Sequence, residues 1–262
     1  MGAPVRFLVV ASLSVSLLAG RWLAAQDDVA DIVSQDLRAG KDEHKRDFLI
    51  EPPKSVKAPR KGYGLLLVLP GGDGSANFHP FTKRIYKNAV PEGYVLAQPV
   101  AVKWTEKQQI VWPTDKNRVE GMKFSTEEFV DAVIKDLAGK YKLDPERVFT
   151  LTWSSSGPAA YAASLSNNKI TGSFIAMSVF KPDLLPPLEK AKGHAYFLYH
   201  SPDDRVCPFR MAKQAARELK KGGATVKLAT YEGGHGWRGN LYDNIREGLE
   251  WLEKNHAIRA RP

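Results

Sequence analysis

Three consecutive serines stand in the run Thr152-Trp153-Ser154-Ser155-Ser156-Gly157, where an apolar segment gives way to an alanine-rich one. A strand that passes through a tight turn into a helix lifts the side chain at the turn clear of the backbone. It also sets a helix N-terminus beneath that side chain, where negative charge is stabilised. Such a turn needs small residues two positions either side of the raised one, and Thr152 and Ser156 flank Ser154 at that spacing. Ser154 is therefore the candidate nucleophile. A register shifted by one makes Ser155 central instead, but places Trp153 where the turn has little room.

A serine hydroxyl is a poor nucleophile until a histidine takes its proton, and a buried carboxylate must hold that histidine in the right tautomer. Both residue types follow in the chain. Asp203 and Asp204 come directly after the apolar run 195–200, and His235 lies in Glu232-Gly233-Gly234-His235-Gly236-Trp237. The order Ser, Asp, His is one of the known chain orders for this chemistry. His44, His79, His194 and His256 have no such setting and read as structural residues.

These residues need a scaffold that brings distant loops together. The apolar run 64–69, bounded by Gly62 and Pro70-Gly71-Gly72, predicts a central strand covered on both faces. Further strands are predicted at 44–50, 94–98, 147–151, 173–179, 195–200 and 225–231. Ser125 followed by Glu128 has the spacing of a helix cap, with Phe129, Val130, Val133 and Leu137 on one face of a helix ending near Tyr141. Other helices are predicted at 159–165, 211–221 and 241–256. This alternation, without internal repeats, points to one α/β domain built on a mostly parallel, doubly wound sheet with helices on both faces. In such sheets ligands bind beyond the carboxyl ends of the strands, where all four informative loops fall: 70–75, 152–157, 201–208 and 232–237.

The pattern resembles the α/β-hydrolase superfamily, and within it small secreted serine esterases similar to the polyhydroxybutyrate depolymerase-like and phospholipase/carboxylesterase families. The resemblance covers about residues 44–256. Its most specific piece is His200-Ser201-Pro202-Asp203-Asp204-Arg205-Val206-Cys207-Pro208, similar to the family's His-Gly-x-x-Asp-x-x-Val-Pro turn. Matched residue by residue, that turn makes Asp204 the triad acid, with Asp203 the alternative; Ser201 replaces the family's glycine and Cys207 its valine. The segment 233–237 resembles the catalytic-histidine loop. By the same resemblance the oxyanion hole takes the backbone N–H of Ser155, after the nucleophile, and a second N–H from the loop 70–73, at Gly72 or else Asp73.

The implied activity is hydrolysis of a carboxylic ester through an acyl-enzyme, with Ser154, His235 and Asp204 as the triad. A peptidase or amidase of the same fold shares this chemistry, and a catalytically inactive binding protein is the alternative of a different class. Trp104, Trp112, Trp153 and Trp237 are candidates to line a cleft, with Trp153 and Trp237 nearest the proposed chemistry, although tryptophans more often belong to the core. The ester itself is not identified. Too few positions separate Ser154 from Asp204 to hold a large lid domain.

Composition bounds the rest. With 262 residues, 43% hydrophobic and 26% charged, the chain has enough apolar mass for a sizeable core and is no disordered segment. A net charge of +9 raises nucleic-acid binding, but the basic residues are scattered among acidic ones, so no nucleic acid is expected as a partner. No cofactor is expected. No set of His, Cys or acidic residues has metal-ligand spacing along the sequence, so no metal is expected either.

Arg6 before the apolar stretch 7–20, with Ala24 and Ala25 after it, reads as a signal peptide over residues 1–25. A polar segment over 26–43 and a hydrolase domain over 44–262 complete the expected organisation. A secreted or periplasmic protein follows, without stable membrane association if the leader is cleaved; Arg21 and Trp22, between the apolar stretch and that site, leave an uncleaved anchor as the alternative. Cys207 is the single cysteine, so such a chain has no internal disulfide.

Overall fold

Leu65, Leu66, Leu67, Val68 and Leu69 expose no surface at all. In the computed structural model, which describes residues 28–256, they form strand β3 (Tyr63–Leu69). Leu65, Leu67 and Leu69 point into one apolar cluster and Leu66 and Val68 into another, as the two-residue period of a strand dictates. Each buried leucine contributes roughly 1.5–3 kcal/mol. The sheet is therefore organised around a strand that both layers of helix must cover.

Seven more strands complete the sheet: β1 (Ser34–Arg38), β2 (Arg46–Ile50), β4 (Tyr94–Pro99), β5 (Leu143–Trp153), β6 (Gly172–Ala176), β7 (Ala195–His200) and β8 (Thr225–Thr230), of which β4 and β5 flank β3. Their order is β1-β2-β4-β3-β5-β6-β7-β8. From β4 to β8 all neighbours are parallel, while β2 runs antiparallel to β1 and to β4. Helices α1 (His79–Ala89) and α5 (Leu241–Asn255) cover one face through Ile85, Ala89, Ile245, Leu249 and Leu252. The other face carries α2 (Thr126–Lys140), α3 (Gly157–Ser166) and α4 (Phe209–Lys221), packed through such residues as Phe129, Val133, Ala163, Ala215 and Leu219. Among the described residues no helix is long and apolar enough to cross a membrane.

The expected α2 cap forms in full. The Glu128 N–H donates to Ser125 Oγ at 3.2 Å, the Ser125 N–H donates to Glu128 Oε2 at 2.8 Å, and the helix stops at Tyr141. Three elements differ from expectation. The segment 26–43 contains β1, so the sheet begins at Ser34 and not at residue 44. This strand has no apolar alternation; it is held by backbone pairing from Ser34 opposite Ile50 to Arg38 opposite Arg46, and by an Asp36–Arg46 ion pair at 2.8 Å. Helix α1 is an addition, because its buried face mixes His79 and Thr82 with Ile85 and Ala89 and so carries no apolar stripe. Strand β6 ends at Ala176, short of residue 179, because Met177 adopts φ +40° and turns the chain off the sheet. The leader expected at 1–25 lies outside the described residues.

Asp47, on β2, is 3% exposed, and its Oδ1 meets no hydrogen-bond donor. Burial pushes its carboxyl up to about 7, with Asp136 and Asp36 adding to the push. A group whose pKa is higher folded than unfolded supports the fold fully below its unfolded value, here near 4, and loses that support as pH rises through its folded value. Asp47→Asn should therefore stabilise the protein at pH 8, by up to about 4 kcal/mol, with the gain vanishing at pH 4. Melting temperatures of both proteins across that range test this, and a pH-independent difference would refute it.

Candidate active site

Parallel register aligns the ends of four strands. Trp153 lies opposite Ala176, Ala176 opposite Tyr199, and Tyr199 opposite Ala229. Residues that follow these positions emerge on one edge of the sheet. From β5 to β8 is three strand spacings, about 14 Å, so the loop after β8 must reach back across β7 and β6 to meet the turn after β5. It does so, and His235 Nε2 lies 3.0 Å from Ser154 Oγ.

Ser154 opens a short 3-10 turn, Ser154–Ser156, and takes φ +56°, a left-handed conformation that costs a non-glycine residue roughly 1–2 kcal/mol. Its neighbours hold it there. Ser156 Oγ accepts the Trp153 N–H at 3.1 Å and donates to the Leu69 carbonyl at 2.7 Å, tying the turn to the end of β3. Ser155 Oγ donates to the Gly72 carbonyl at 2.8 Å, and Ser178 Oγ to the Ser154 carbonyl at 2.6 Å. Two glycines allow this crowding. A Cβ on Gly157 would fall 2.0 Å from Ser178 Oγ, and one on Gly71 would fall 2.4 Å from the Trp153 carbonyl oxygen.

His235 Nδ1 lies 2.9 Å from Asp204 Oδ2. The carboxylate only accepts, so Nδ1 carries the ring proton and Nε2 is left to accept from Ser154. The Asp204 side chain exposes no surface. Its Oδ1 accepts the N–H groups of Val206 and Cys207, each at 2.8 Å. Burial raises the Asp204 carboxyl, but the Cys207 N–H, the His235 ring and the Val206 N–H more than offset it and hold the group below the usual carboxylate value. His200 stands beside this acid: its Nε2 donates to the Cys207 carbonyl at 2.7 Å and lies 3.2 Å from Asp204 Oδ2. Burial depresses the His200 pKa, which favours a neutral ring with its proton on Nε2.

Of the alternatives left open by the sequence, Ser155 turns its hydroxyl to Gly72 and Asp203 is exposed, so Ser154 and Asp204 are the pair that meets His235. Gly72 and Ser155, expected as the oxyanion donors, are linked by that same hydroxyl-to-carbonyl bond. Trp153 is 5% exposed and packs edge-on against Phe78, Phe81 and Trp237, so it forms a wall beneath the turn, with Trp237 only partly covered. Trp112 is buried, donating to the Pro70 carbonyl at 2.9 Å, and Trp104 packs edge-on against Phe124; both belong to the core. Ser201, which stands where the resembling turn has glycine, uses its Oγ to accept the N–H of Gly234 at 3.1 Å and of Asp203 at 3.2 Å. That link between the acid loop and the histidine loop has no signature in the spacing. Nor does the gathering of Asp204, Cys207 and His235, whose ligand atoms lie within 4.8 Å of one another although the spacing of these residues along the chain pointed away from a metal.

No family model and no curated protein matches the sequence. Solved structures do. A thermostable esterase from Pseudomonas putida ECU1011 superposes with TM-score 0.64 at 14% identity, over 93% of this chain and 89% of that one. Esterase 2 of Thermogutta terrifontis does so with TM-score 0.59 at 15% identity with propionate bound, over 87% of this chain and 94% of that one. The same enzyme phosphorylated by paraoxon gives TM-score 0.61, over 87% and 96%. At such identities the likeness establishes the fold, which is that of the α/β hydrolases.

The packing around the turn makes its own forecast. Gly157→Ala should destabilise the protein by about 2 kcal/mol or more, as overpacking at a rigid contact does, and adding Ser178→Gly should recover part of that loss. Denaturant unfolding of the two variants decides it; an unchanged midpoint for Gly157→Ala would show that the turn yields.

Proposed function

We propose that this α/β-hydrolase-fold chain hydrolyses carboxylic esters through an acyl-enzyme formed on Ser154. The observation that carries the reading is the unbroken line of hydrogen bonds from Ser154 through His235 to an acid with no exposed surface, at 3.0 and 2.9 Å. Ser154 Oγ attacks the acyl carbon as its proton passes to His235 Nε2. The resulting imidazolium is stabilised by Asp204, and the developing oxyanion is met by the N–H groups of Ser155 and Gly72. Collapse expels the alcohol, which takes the proton from His235. Water then repeats the sequence on the acyl-enzyme, giving its proton to His235, and the acid product leaves as Ser154 regains its hydrogen.

Ester cleavage is preferred over amide cleavage because the structural neighbours described above are esterases, one of them phosphorylated by paraoxon. An inactive binding protein has no need of the strained turn at Ser154 or of three donors on a buried acid. The sequence reading of a leader over residues 1–25 supports a site of action outside the cytoplasm.

Turnover of short p-nitrophenyl esters tests the assignment. Ser154→Ala should lower it by about 10⁴-fold or more and Asp204→Asn by on the order of 10³–10⁴-fold, whereas Ser155→Ala and Asp203→Asn should cost far less. A fluorophosphonate should label Ser154, located by mass spectrometry. Labelling at Ser155 would refute the nucleophile, and cleavage of amides with no ester turnover would refute the reaction.

A further inference from the structure

The fold brings three metal-ligating groups of different chemistry into one cluster. Asp204 offers a carboxylate oxygen, Cys207 its thiol and His235 a ring nitrogen, all within 4.8 Å of one another. The nitrogen on the acid side is Nδ1, 2.9 Å from Asp204 Oδ2. A thiol, an imidazole and a carboxylate together form a donor set suited to a zinc-class divalent cation, with the fourth tetrahedral position left to water. Ligands of such an ion stand roughly 3.3–3.8 Å apart when its bonds are 2.0–2.3 Å long, so closing the cluster takes about an ångström of side-chain movement. The approach is past His235, whose side chain is 25% exposed, while Asp204 and Cys207 line the inner end.

We propose that Asp204, Cys207 and His235 form an inhibitory site for a thiophilic divalent cation of the zinc class. The site rests on the hydrolase reading for its effect on turnover, but not for the binding itself. When the cation enters, the Cys207 thiol proton is released to solvent and the metal takes the thiolate, an Asp204 oxygen and the Nδ1 lone pair. The Nδ1 proton moves to Nε2 by way of solvent. His235 then presents an N–H to Ser154 in place of a lone pair, so it has no site left to accept the serine proton. No ligand of the cluster is Ser154, and an enzyme lacking that hydroxyl keeps the site whole.

The decisive measurement is titration of the purified protein with Cd2+, whose bond to a thiolate has an ultraviolet charge-transfer band, and in parallel with Zn2+ during ester turnover. One Cd2+ per chain should bind with that band in both the native protein and Ser154→Ala. The band should be absent in Cys207→Val and in Cys207→Ser, the second variant guarding against a packing fault in the first. Zn2+ should lower native turnover at least tenfold, with recovery on adding a chelator, while the ratio of rates with and without Zn2+ stays near one in both cysteine variants. No thiolate band in the native protein, or undiminished inhibition in folded cysteine variants, overturns the proposal. If no ester is turned over in the absence of metal, the hydrolase reading fails, and the Cd2+ band in Ser154→Ala still decides the site.

Discussion

A carboxylate without exposed surface is costly unless donors replace the water it has lost. Asp204 meets that condition after β7 with the N–H groups of Val206 and Cys207 and the ring of His235. Each donor constrains something else. The two backbone groups fix the turn after β7, and His200 closes that turn through the Cys207 carbonyl. His235 is drawn from β8 to the middle of the sheet. Remove the acid, and the imidazole keeps neither its place nor its proton on Nδ1.

The sheet makes this arrangement possible by its parallel register. Because Trp153, Ala176, Tyr199 and Ala229 lie in one row, the turns that follow them share an edge, and loops only a few residues long can meet. The left-handed backbone at Ser154 is stable because three hydroxyls, from Ser155, Ser156 and Ser178, secure the carbonyls around it. The strain is local, and the deep packing of β3 and β5 supports it. Rigidity below and strain above belong together: a hydroxyl raised on a loose turn would not stay 3.0 Å from the His235 ring.

Much of this was legible in the sequence wherever one residue type had one physical job. The run 64–69 declares a strand covered on both faces, Ser125 with Glu128 declares a helix start, and a histidine among glycines after the last strand declares itself by contrast. What escaped depends on partners rather than on type. Strand β1 is polar and exists because β2 offers a ladder, and α1 buries a histidine and a threonine beside its aliphatic residues. The choice between Asp203 and Asp204 turned on matching a motif; in the fold the Asp204 side chain faces His235 and its neighbour faces solvent. Ser201 and Cys207 were visible as departures from a pattern, but their contacts come from the two loops meeting in space.

The two margins of the sheet, β1 and β8, bear on behaviour in concentrated solution. An open strand is a template on which another chain can add its own, and that is how sheets grow into aggregates. Both margins here carry charge in place of an apolar ribbon. Asp36 sits at the centre of β1 between Arg38 and Arg46, and Lys227 on β8 pairs with Glu247 at 2.7 Å. A strand arriving from a second molecule would have to strip water from these ions to register against either edge, at a cost its few new backbone bonds would not offset. Charge thus stands at both margins of the sheet, where an added strand would have to register.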